Sequence, residues 1–168
     1  MGETQNEDPS RIPIKSKAGM VEVRVKHVAL DEKDQKANVV FLTDKDERFY
    51  MPLWIGEYEA NEIKKVMNSE LSERPGVYQL FKNTLESLKA KVDKVVISEM
   101  RGTTFIAQLF VKGSSEIIID SRPSDAICLA YWFEATIFIK DEVLNEAAYL
   151  DWSKNTDEER AQGFVLVD

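Results

Sequence analysis

The sequence contains one cysteine and one histidine in 168 residues. A single thiol, Cys128, forms no disulfide within the chain, which suits a reducing, cytoplasmic setting. A single imidazole, His27, excludes a histidine-cluster metal site and leaves any nucleophilic triad one candidate base. The seven glycines are isolated, so no glycine-rich phosphate loop is present. Long apolar runs are missing as well: the longest, residues 126–133, stops at Glu134, far short of the roughly 18 residues that would span a membrane. The opening Met1-Gly2-Glu3-Thr4 shows no basic stretch followed by an apolar one, so no secretory leader is expected. An excess of positive charge is lacking too. Lys and Arg number 22 against 30 Asp and Glu, a net charge of −8, which excludes a polybasic or histone-like protein.

The negative charge is unevenly placed. Residues 1–19 are neutral, residues 20–140 carry a net −2, and residues 141–168 carry −6, centred on Asp157-Glu158-Glu159. With 43% apolar and 31% charged residues the composition is that of one soluble globular domain. We divide it into a flexible N-terminal segment (1–19), a folded domain (20–147) and an acidic extension (148–168). In that extension Trp152 and Phe164-Val165-Leu166-Val167 are apolar enough to dock on the domain or on a partner.

The periodicities predict an α+β fold, a single compact domain with a mixed or antiparallel sheet and three main helices. Val21, Val23, Val25 and His27 alternate with Glu22, Arg24 and Lys26, the pattern of a half-buried strand. Residues 38–43 and 48–55 form two further strands joined by Asp44-Lys45-Asp46-Glu47, with Pro52 marking an edge or a bend. A helix follows from Gly56 to about Asn68, burying Ala60, Ile63, Val66 and Met67. After the break at Ser72-Glu73-Arg74-Pro75-Gly76, the spacing of Val77, Leu80, Phe81, Thr84, Leu85 and Leu88 predicts an amphipathic helix. Strands over 94–100, 103–112 and 116–120 form an antiparallel meander. A buried helix over 123–133, a strand over 137–140 and a short helical stretch over 143–147 complete the chain.

Two strand-to-helix junctions could carry chemistry. At Asp120-Ser121-Arg122-Pro123-Ser124-Asp125, free N–H groups, partial positive charge and Arg122 suit a phosphate, and Asp120 and Asp125 could hold Mg²⁺ or Mn²⁺. The same residues also suit plain capping, with Ser121 or Arg122 at the cap, Pro123 in the first turn and Asp125 facing the dipole. At Trp54-Ile55-Gly56-Glu57-Tyr58-Glu59, Glu57 and Glu59 are candidate acid/base groups or metal ligands, or first-turn glutamates matched to the dipole. Lys89, Lys91, Lys94, Arg101 and Arg74 form a weak basic strip. Cys128 reads as an inert buried thiol.

An ordered series resembles the bifunctional nuclease family, whose members are described as having DNase and RNase activity. It comprises Met51-Pro52-Leu53-Trp54-Ile55-Gly56, Glu59-Ala60, Arg74-Pro75, Leu85-Glu86-Ser87-Leu88, Val92-Asp93-Lys94-Val95, Thr104-Phe105-Ile106-Ala107 and Ile119-Asp120-Ser121-Arg122-Pro123-Ser124-Asp125-Ala126-Ile127. The resemblance covers about residues 20–147. It implies a homo-oligomer acting on phosphodiester bonds of DNA or RNA, with Asp120, Arg122, Ser124, Asp125 and Glu59 as candidate catalytic residues. Arg122 would bind phosphate, Asp120 and Asp125 would hold metal, and Glu59 would act as base. One departure stands out: after Arg-Pro the family commonly has x-Thr-His-Asp-Leu, and here Gly76, Val77, Tyr78, Gln79 and Leu80 occupy those positions. The alternative is therefore a catalytically impaired member acting as a regulatory or protein-interaction domain, its acidic tail repelling nucleic acid or engaging a partner.

Overall fold

The alternation that opens the first strand holds for three valines and then breaks. The computed structural model describes residues 15–31, 37–70, 72–150 and 164–166. Strand β1 (Met20–Asp31) sends Val23 and Val25 into the main core and pairs antiparallel with β2 (Asn38–Thr43), but a bulge between Val25 and His27 shifts the register. One extra residue reverses the face taken by every later side chain. Val28 therefore enters the main core, while Ala29 joins Val39 and Phe41 in a second small cluster. His27, expected beside Val21, Val23 and Val25, instead sets its ring 4.8 Å from that of Phe41. Burial, and then the charge of Lys26, hold its pKa below the ordinary histidine value, so it packs as a neutral ring.

The same strand joins two halves of the sheet. Met20 to Val23 pair with β7 (Thr136–Lys140), and from Arg24 onward β1 pairs with β2. The order is β6-β5-β4-β7-β1-β2-β3-β8, with β9 against β1. Here β3 is Phe49–Ile55, β4 Lys91–Arg101, β5 Thr104–Lys112, β6 Glu116–Ser121, β8 Tyr149–Leu150 and β9 Phe164–Leu166. The meander expected over β4, β5 and β6 is present, and β4 and β7 run parallel, which makes the sheet mixed. Pro52 faces Phe41 in register, and β8 reaches only Phe49 and Tyr50, so the proline lies on the outer edge where a missing N–H is tolerated.

The two short strands bring parts of the C-terminal extension back to the sheet. Trp152, Val167 and the Asp157-Glu158-Glu159 cluster lie outside the described residues, as do residues 1–14 of the N-terminal segment. At the end of that segment, the Ser16 backbone N–H donates to Asp141 Oδ2 at 2.6 Å and its hydroxyl to Oδ1 at 2.9 Å.

Among the described residues four helices pack on this frame: α1 (Glu57–Met67), α2 (Val77–Ser87), α3 (Pro123–Phe133) and α4 (Asp141–Ala147). Expected to be buried, α3 encloses Ser124, Ala126, Ile127, Cys128, Leu129 and Ala130. It links β6 to β7 and crosses β4 and β5 on the way. Each large side chain so enclosed contributes about 1.5–3 kcal/mol. Helix α1 lies beside α3 and buries Ala60 and Ile63 as expected, with Val66 partly buried, whereas Met67 is exposed.

Helix α2 departs most from its sequence pattern. The apolar stripe of Val77, Leu80, Phe81 and Leu88 faces solvent, and the buried residue is Tyr78. The face turned to α3 carries Tyr78 and Lys82, whose ammonium lies 6.0 Å and 5.9 Å from the ring centres of Trp132 and Phe133, with Leu85 partly buried on the core. Two substitutions test this orientation. Ile127→Ala, at 0% exposure, should cost about 2–5 kcal/mol in urea unfolding, whereas Leu88→Ala, at 70% exposure, should stay within about 0.5 kcal/mol. Equal losses at the two positions would mean that α2 docks by its apolar stripe.

Candidate functional site

Three helices begin side by side, and none has a side-chain cap. The N-cap residues Gly56 of α1, Gly76 of α2 and Arg122 of α3 make no capping hydrogen bond through a side chain. Three positive dipole ends thus face one region, and acidic residues answer them: Glu57 and Glu59 in the first turn of α1, Asp125 in that of α3. Of the two readings of the α3 junction, Pro123 does sit in the first turn and Arg122 does hold the cap position, but Arg122 turns its guanidinium outward.

That guanidinium bridges two helices. Its Nε donates to Asp125 Oδ2 at 2.6 Å and its Nη2 to Asp125 Oδ1 at 2.9 Å, the bidentate fork that suits arginine to a carboxylate. Nη2 also lies 2.8 Å from Glu59 Oε1. The Arg122 side chain is 66% exposed, whereas those of Glu59 and Asp125 are only 14% and 26% exposed. Solvent at the arginine limits each pair to about 1 kcal/mol or less. Both carboxylates raise the guanidinium pKa, the Asp125 hydrogen bond most, so its charge is permanent.

Tyr78 completes the cluster from α2. Its hydroxyl donates to Asp125 Oδ1 at 2.6 Å. Burial first, and then that bond, push the phenol far above the ordinary tyrosine value, so it remains a donor and cannot serve as a base near neutral pH. Its ring stacks on that of Tyr58 in α1, centroids 6.4 Å apart and planes 22° from parallel. Gly56 supplies the remaining condition: a Cβ there would collide with Glu59 Oε2, so the missing side chain lets the carboxylate fold back toward Arg122.

The structure therefore brings Glu59, Arg122 and Asp125 together and leaves two expected residues apart. Ser124 is buried in the first turn of α3 and bonds to none of the three. Asp120 shares a sheet row with Gln108, while neighbouring Ala107 and Leu109 point into the core with α3. Strand alternation thus places Asp120 on the face away from the helices, where its charge acts on Arg101. Among the described residues no three of His, Cys, Asp and Glu converge as metal ligands, so Asp120, Asp125 and Glu59 form no such set. The cation between Glu59 and Asp125 is the guanidinium of Arg122.

In the basic strip, Arg101 pairs with Glu99 at 2.7 Å, and the Lys94 ammonium lies 4.5 Å from the ring centre of Phe110. Cys128 is fully buried, which raises its pKa, and acts as a small apolar group. Sequence reasoning missed Gly56, Tyr58 and Tyr78 as members of the cluster. The available signal was position: Tyr78 stands where the resemblance expects a histidine, and Gly56 and Tyr58 flank the candidate acids.

Tyr78→Phe should lower stability by about 1.5–3 kcal/mol in urea unfolding, because a largely buried carboxylate loses a donor. Gly56→Ala should displace Glu59 and leave the Asp125 fork intact. A crystal structure of that variant with Glu59 still on Arg122 would show that the glycine is not required.

Two uncharacterized proteins of Mycobacterium tuberculosis, from strains CDC 1551 and H37Rv, are each 29% identical to this chain over 131 residues, 78% of this chain and 78% of theirs. The bifunctional nuclease domain model matches residues 40–151, which include all four helices and the whole Glu59–Tyr78–Arg122–Asp125 cluster. The chain belongs to the bifunctional nuclease domain family.

Proposed function

We propose that this chain hydrolyses phosphodiester bonds of DNA or RNA at the Glu59–Arg122–Asp125 cluster. The observation that carries this reading is the state of Arg122. Its Nε and Nη2 are held by two carboxylates, and the side chain is still 66% exposed. A guanidinium held by carboxylates and still open to solvent is prepared to accept a phosphate oxygen and to stabilise charge that grows there during displacement. Asp125, steadied by the Tyr78 hydroxyl, orients the arginine. Glu59 is placed to accept a proton from an attacking water, and the leaving oxygen takes its proton from solvent. The donor set does not fit a resident Mg²⁺ or Mn²⁺, because Asp120 lies across the sheet and both oxygens of Asp125 face the guanidinium.

Cleavage of labelled single- and double-stranded substrates, with and without added Mg²⁺ or Mn²⁺, tests the proposal. Arg122→Ala and Glu59→Gln should each lower the rate about 10²-fold or more while the fold is retained. Unchanged rates in both would remove these residues from the reaction.

A second reading, an interaction domain that associates with another copy of itself, is favoured by one observation: the solvent-facing stripe of Leu80, Phe81 and Leu88 on α2. If it forms a dimer face, Leu80→Glu should shift the sedimentation coefficient to that of a monomer at micromolar concentration. An unshifted value would leave the stripe without this role.

A further inference from the structure

We infer that Tyr58 is a stacking platform for an unpaired nucleobase, so that the strand presented to Arg122 is single-stranded nucleic acid. This rests on the placement of nucleic acid at Arg122 in the reading above. Tyr58 is 54% exposed and immediately precedes Glu59. It is not a loose side chain on the surface. One face of its ring lies against Tyr78, and Tyr78 is buried and tied through its hydroxyl to Asp125, which holds Arg122. The ring is thus linked through Tyr78 and Asp125 to the residues that orient the guanidinium, and its exposed part is presented to solvent.

Charge decides which form of nucleic acid fits. Glu57 and Glu59 lie in the first turn of α1 and Asp125 in that of α3, and residues 20–140 carry a net −2. A duplex offers mainly its phosphates, with base faces already stacked on one another, and such a surface repels it. A single strand can turn one base onto Tyr58 and place one phosphate on Arg122. Attraction then comes from an uncharged ring contact that neighbouring carboxylates do not oppose. Binding of this kind involves few phosphates and so depends little on salt.

The test is fluorescence anisotropy of the full chain with a short labelled oligothymidylate and with a duplex of equal length. Tyr58→Ala should weaken oligothymidylate binding about tenfold, and Tyr58→Phe, which keeps the ring, should bind as the wild type does. The duplex should bind more weakly than the single strand and be indifferent to Tyr58. Wild-type failure to bind the oligothymidylate, equal binding by Tyr58→Ala, or equal loss in Tyr58→Phe would each overturn the inference. Tyr58-dependent binding without cleavage of any strand would support the inference and remove the hydrolytic reading. Cleavage that is insensitive to Tyr58 would do the reverse.

Discussion

A helix that is apolar on every side has no face to give to water, and α3 is such a helix. Ala126, Ile127, Cys128, Leu129 and Ala130 are all buried, so the chain must surround them with strands of the sheet, with α1 and with α2. At its polar start, Arg122 emerges into solvent. Burial of the apolar body and exposure of the Arg122 end are therefore one constraint, and the position of the cluster follows from it.

Where the three helices start, electrostatics takes over from burial. Uncapped N–H groups and aligned dipoles favour negative charge, and the acids that supply it would repel one another if left alone. The guanidinium of Arg122 settles this by lying between Glu59 and Asp125, while Tyr78 gives Asp125 a neutral donor. The arrangement joins all three helices through side chains, so disturbing any one member is felt in elements far apart in sequence.

Much of the architecture was legible from local pattern. Strands β1 to β7, the meander of β4, β5 and β6 among them, and the buried α3 each follow from a period of two or from a continuous apolar run, whereas β8 and β9 do not. Three further features were not legible. The bulge in β1 has no marker in Val25-Lys26-His27, and it reversed the face assigned to the histidine. The stripe on α2 reads as a core face, but the core took Tyr78, whose hydroxyl finds a carboxylate that lies 47 positions away. Asp120 and Asp125 are close in sequence yet lie on opposite sides of the sheet, because a strand ends and a helix begins between them. Spacing along the chain does not carry that information. The junction motifs did mark Glu59, Arg122 and Asp125 as residues at helix starts, because residues there are placed by local rules.

The place of β7 has a consequence for how the chain comes together in time. It is among the last of the main strands in sequence, yet it lies between β4 and β1, which begin at Lys91 and Met20. During synthesis the β1–β2–β3 hairpins and the β4–β5–β6 meander can form from neighbouring segments, but the two halves have no shared edge until residues 136–140 arrive. Contacts of such separation make assembly slow and leave strand edges open for the interval. A nascent chain of this kind is most exposed to mispairing just before β7 is inserted.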